Sequence, residues 1–190
     1  MKKLISLMMA LVLCLCALTP VMAEEADAAP AEAFLYTQEE YRQLFDVLAA
    51  NMLQIVPEWT VDGSMAMAAL EGYGEVLVEM NDAGQVIRLS TSKVCALNDI
   101  QTSANALGML VALSALGSKA TEDMTFMTEE NINVYTQELM SLLYSLMDNL
   151  GEDMGSTVTV TGEVGGDTAT FTMLIDVTTL SITFGFIYEP

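Results

Sequence analysis

The sequence predicts an α+β fold, with helices packed on an antiparallel sheet. Three observations carry that expectation. Segments such as Glu75–Met80, Thr157–Val164 and Thr168–Ile175 alternate side chains strictly between two faces and are joined by short turns rich in Gly, Asn and Asp, the mark of antiparallel hairpins. Three longer segments repeat their apolar residues at helical spacing. Strands follow helices in groups rather than one to one, which argues against a parallel sheet.

Residues 1–23 read as a secretory signal peptide. Lys2 and Lys3 precede an uncharged apolar stretch from Leu4 to Ala17, and Val21-Met22-Ala23 forms a small-residue cleavage site before Glu24. The stretch is short for a bilayer span and is followed by Pro20. Cys14 and Cys16 each follow a leucine rather than the small residue expected before a lipidated cysteine. Residues 24–35, opening EEADAAPAEA, read as a flexible Ala/Glu linker with too little apolar surface to order itself. A single α+β domain is expected over 36–190.

The first helix begins after Thr37, whose partner Glu40 completes a capping box, while Tyr36 and Tyr41 are placed as a hydrophobic staple. Tyr41, Leu44, Phe45, Leu48 and Met52 form its apolar face, and Pro57 lies beyond its end. A weak Ala/Met strand is expected over Ser64–Leu70. Glu75–Met80 and Gln85–Ser92 then form a hairpin about Asn81-Asp82-Ala83-Gly84. Asp99 is placed to cap a second helix ending near Leu116, with Gly117 as its stop. The apolar run Leu107–Leu116 is too short to cross a membrane and reads as buried core. Ala104, Gly108 and Ala112 form a stripe that another backbone could approach closely. Gly117–Phe126 reads as a polar connection. The third helix starts at Thr128, with Met127 and Ile132 as staple, and Gly151 is its expected stop. Strands over Thr157–Val164, Thr168–Ile175 and Leu180–Tyr188 complete the chain.

Order and spacing suggest a tandem of αβββ half-repeats, 37–92 and 128–188, with an extra central helix between them. Residue identity between the halves is slight, so independent origin of this order is the alternative.

The composition excludes several functions. With no histidine among 190 residues, Ser-His-Asp and Cys-His mechanisms and histidine-ligated metals are absent. A formal charge of -20 opposes nucleic-acid binding, which needs Lys and Arg on phosphates. Signal cleavage would remove Lys2 and Lys3 and no acid, leaving the rest more negative still. It would also leave Cys95 as a lone cysteine, which reads as a small buried hydrophobe and closes no internal disulfide.

Ser90-Thr91-Ser92-Lys93 matches S-x-x-K, but that chemistry needs the serine at a helix start, and on a strand Ser90 and Lys93 point to opposite faces. The acidic loop Asp148–Asp153 lies at a helix end, where negative charge opposes the dipole. It reads either as a cation site or, on composition, as a solvated loop. Neither it nor Asn81–Gly84 fits an EF-hand loop. Thr157, Thr159, Thr161, Thr168, Thr170 and Thr172 place hydroxyls on one sheet face opposite an apolar face, the ordinary pattern of an amphipathic sheet. The scattered methionines read mostly as core, with Met124 and Met127 as a pair to watch.

These residues assign no catalytic group, cofactor or metal ligand. They lead to the expectation of a secreted, non-enzymatic binding module of a bacterial-type envelope. Its partners would be a cationic protein, a peptide or a divalent ion, with no nucleic acid and no membrane span after signal cleavage. The alternative is an extracellular carboxylate-dependent hydrolase.

Overall fold

The computed structural model describes residues 32–149 and 157–190. Residues 1–31, which hold the expected signal sequence and most of the expected linker, and Gly151, Glu152 and Asp153 lie outside the described residues. Packing begins at Phe34, ahead of Tyr36: its ring is buried, and its N–H donates to the Val86 carbonyl at 2.8 Å.

Helix α1 spans Gln38–Met52. The capping box forms: the Glu40 N–H donates to Thr37 Oγ1 at 3.3 Å, and the Thr37 N–H donates to Glu40 Oε2 at 2.7 Å. Tyr36 stacks on Tyr41 with centroids 6.0 Å apart, so the staple forms too. Tyr41, Phe45 and Ala49 are fully buried on the predicted face.

Strand β1 (Trp59–Asp62) was not anticipated; β2 (Met65–Leu70), β3 (Gly74–Met80) and β4 (Val86–Ala96) follow. β4 runs past the expected Ser92 because β7 pairs with it as far as Ala96. Helix α2 (Ile100–Glu122) and helix α3 (Glu129–Asp148) flank a 3-10 turn at Met124–Met127. Strands β5 (Thr157–Val164), β6 (Asp167–Asp176) and β7 (Ser181–Glu189) complete the fold.

All seven strands form one antiparallel sheet in the order β1-β2-β3-β4-β7-β6-β5. The architecture is therefore the predicted α+β. The order mirrors itself about the β4–β7 pair: β2-β3-β4 lies on one side and β7-β6-β5 on the other. Alternation carries Ala66, Ala68, Val76, Val78, Leu89, Phe171, Phe184 and Phe186 to one face, where the helices bury them. Burial of each large side chain of this set stabilises the fold by about 1.5–3 kcal/mol. Cys95 is buried among them, as expected.

Four expectations need correction. Asp99 stands at the start of α2, but its side chain makes no cap hydrogen bond to the helix backbone. Helix α2 does not stop at Gly117 but continues to Glu122. A Cβ at Gly117 would make only ordinary contact, 3.6 Å from Leu48 and 3.7 Å from Tyr41, so Gly117 lies at the contact with α1 within the helix and neither ends it nor is required by crowding. Close approach also does not use Gly108, around which a Cβ would find open space. Leu180 is not the first residue of β7: it sits in the preceding turn at φ 53, exposed to solvent. The full span of α2 with its preceding turn, Leu97–Glu122, is long and apolar enough to cross a membrane, yet Leu107, Leu110, Val111 and Leu113 pack into the core.

Candidate functional site

Two regions hold the side chains with chemical capacity: the outer face of the sheet and a buried polar cluster beneath it.

The outer face carries the residues that alternate with the core. Among the described residues, no helix packs against it, since α1, α2 and α3 all lie on the opposite face. The register sets its layout. Met67, Leu77, Ser90, Ile187, Thr170 and Thr161 form one row across six strands. The next row is Ala69, Glu75, Ser92, Gly185, Thr172 and Thr159. The threonines pair across strands, with Thr161 and Thr170 hydroxyls 3.0 Å apart and those of Thr159 and Thr172 3.4 Å apart. The predicted hydroxyl-rich face therefore exists. It also has a feature the threonine pattern did not reveal, an apolar centre at Met67, Leu77 and Ile187.

Asp62, Glu75, Glu79, Glu163, Asp176 and Glu189 share this face with one cation, Arg88. Arg88 is held between two of them, with Nε donating to Glu189 at 2.6 Å and Nη1 3.6 Å from Glu79. Half-burial raises the Glu75 carboxyl above the usual glutamate range. Glu75 and Glu79 stand four positions apart on β3, about 13 Å along the backbone.

Ser90 lies on the outer face, whereas Lys93 is on the other register and donates to the Gly72 carbonyl. The S-x-x-K residues are thus not brought together. Met124 and Met127 are both exposed in the connection before α3. Among the described residues, no group of three or more His, Cys, Asp or Glu is placed to hold a metal ion.

The buried cluster centres on Lys119, whose residue is only 8% exposed near the end of α2. Its ammonium contacts the Asp167 carboxylate on β6 and lies 3.3 Å from Glu122 Oε2 one turn on. The Tyr188 hydroxyl stands 2.7 Å from Asp167 Oδ2 and 3.0 Å from the Val164 carbonyl, both acceptors for its single proton. The Lys119 ammonium also sits 6.0 Å from the Tyr188 ring centroid. The Tyr135 hydroxyl is buried beside this group without a hydrogen bond of good geometry. Burial raises the ionisation of Tyr36, Tyr135 and Tyr188 far above the ordinary tyrosine range.

Gly165 makes this arrangement possible. Its φ of 60 turns β5 into β6, and a Cβ there would meet Lys119 Cε at 2.9 Å and Tyr135 at 3.0 Å. Sequence reasoning took Asp167 for a turn residue and passed over Lys119. The available signal was a lysine inside the mostly small or apolar segment Leu113–Ala120 of a chain with only six basic residues.

No protein-family profile matches this chain, and no curated protein or solved structure resembles it significantly.

Proposed function

We propose that this chain is a secreted, non-enzymatic binding module of the bacterial cell envelope, and that the outer sheet face engages a cationic protein or peptide. The observation that carries this reading is a face that, among the described residues, no helix covers and that bears six carboxylates, one arginine and an apolar centre. A partner bearing Lys or Arg around an apolar strip is complementary in both charge and hydrophobicity. Flanking threonines offer hydrogen bonds without large side-chain entropy losses. The export half of the proposal rests on the sequence pattern of residues 1–23.

The binding test is a titration of the full exported chain with a decapeptide of alternating Lys and Val, followed by amide chemical shifts. Shifts at Ser92, Thr172 and Gly185 that weaken with added salt are expected. No shifts at low salt, or shifts confined to the helical side, would overturn the reading. Calcium added alone tests the divalent-ion version on the same amides. Export is checked by N-terminal sequencing of protein from the culture fluid and cell surface. A chain starting at Glu24 supports it, and retention in the cytoplasm with Met1 in place refutes it.

A further inference from the structure

We propose that Lys119 and Asp167 condense into an intramolecular isopeptide bond, with Glu122 carrying the proton. The amine and the carboxyl are in contact, Glu122 touches the same nitrogen, and all three side chains are largely buried, at 10%, 14% and 20% exposure.

The step balances without an oxidant or co-reactant. A proton passes from the Lys119 ammonium to the Asp167 carboxylate, giving a neutral amine and a neutral acid. Nζ attacks Cγ of Asp167, forming the C–N bond and a tetrahedral centre. Glu122 takes a proton from the nitrogen and returns it to the departing oxygen. The C–O bond breaks, and one water leaves.

Three features of the site favour this step over a permanent ion pair. The amine and the carboxyl group are already held in contact, which lowers the entropic part of the barrier. The Tyr188 hydroxyl, 2.7 Å from Asp167 Oδ2, is placed to donate to the oxygen that receives the lysine proton and so assists its departure as water. The product is a neutral amide, which relieves the cost of keeping two charges out of water. Glu122, the most exposed of the three, opens the route by which the water leaves. The bond would tie α2 to the β5–β6 hairpin independently of any disulfide, leaving Cys95 unused.

Mass spectrometry of the purified full chain decides the matter, read against its sequenced N-terminus. The expected wild-type mass is one water below the sequence mass, with peptic fragments carrying Lys119 and Asp167 joined. Glu122→Gln, nearly isosteric and at the edge of the cluster, should slow bond formation about 100-fold or more. Asp167→Asn can react only by losing ammonia, so any linked product would be one ammonia lighter. Lys119→Met should retain its full mass. Folded wild-type protein that keeps its full mass after prolonged incubation would overturn the proposal and leave an ion pair. Linkage at an unchanged rate in Glu122→Gln would overturn the role given to Glu122.

Discussion

In the half of the sheet built from β1–β4, the helices meet Ala66, Ala68, Val76 and Val78; in the half built from β5–β7, they meet Phe171, Met173, Phe184 and Phe186. The helical layer reverses the difference. On the first side, the aromatic bulk belongs to Tyr36, Tyr41 and Phe45 at and within α1, and Trp59 meets Phe45 edge-on at 5.6 Å. On the second, α3 presents one buried ring, Tyr135, and otherwise Leu139, Leu142 and Leu146. Helix α1 rests chiefly on α2, whereas α3 lies directly on β5 and β6. Equivalent layers can thus be filled from either side, provided the summed volume is kept. A tandem αβββ duplication would leave a mirrored strand order of this kind, and an exchange of bulk between layers is one way its copies would diverge.

The comparison is most directly broken by removing one anchor from each half. Phe45→Ala and Phe171→Ala should each cost about 3–5 kcal/mol in urea unfolding. A much cheaper Phe45→Ala would mean that α1 is loosely seated and that the halves are not equivalent in packing.

Backbone crowding separates the halves next. At Gly74, with φ 141, a Cβ would lie 2.4 Å from the Ser92 carbonyl, which β-pairing fixes in place. Gly74→Ala should therefore cost about 2–3 kcal/mol. At Gly162, a Cβ would lie 2.6 Å from the end of the Leu142 side chain, which can turn away. Gly162→Ala should cost about 1 kcal/mol or less by the same measurement.

Helix starts give a smaller contrast. Thr37 belongs to a complete capping box, while Thr128 accepts one bond, from the Asn131 N–H at 3.3 Å. Thermal unfolding should place Thr37→Ala about 1 kcal/mol below wild type and Thr128→Ala about 0.5 kcal/mol below.

The smallest effects depend on pH and have opposite signs. Hydrogen bonds from Thr37 hold the Glu40 carboxyl below its usual value, so its contribution is present above the unfolded pKa and is lost as pH falls through the folded one. Burial raises Glu75 instead, so the native state holds its proton more tightly, and stability falls as pH rises from the unfolded pKa through the folded one. Glu75→Gln should gain about 0.5 kcal/mol or less above that window and nothing below it. Stability against pH for Glu40→Gln and Glu75→Gln, beside wild type, checks both signs.

Much of this fold was legible where the determining contacts are local. The capping box at Thr37 and Glu40, the staple of Tyr36 on Tyr41 and the threonine alternation of β5 and β6 each depend on residues a few positions apart. Strand β1 was legible too but overlooked: Trp59-Thr60-Val61 are strand formers, and Asp62-Gly63 is a hairpin turn pair. Gly117 misled because a glycine marks a helix end only where the chain leaves the helix, and α2 runs on through it to Glu122. For Lys119, a buried lysine was legible but its partner was not. Only the return of the β5–β6 turn to the end of α2 makes a helical lysine and a turn aspartate neighbours.

The row of rings running from Trp59 through Phe45, Tyr41, Tyr36 and Phe34 to Tyr188, at centroid separations of 5.2 to 6.0 Å, has an optical consequence. Trp59 is the sole indole in the chain, and its N–H donates to Asp46 of α1 at 2.7 Å. Light absorbed by Tyr36 or Tyr41 is passed towards Trp59 while α1 is docked, so the seating of that helix contributes to the emission ratio of tyrosine to tryptophan.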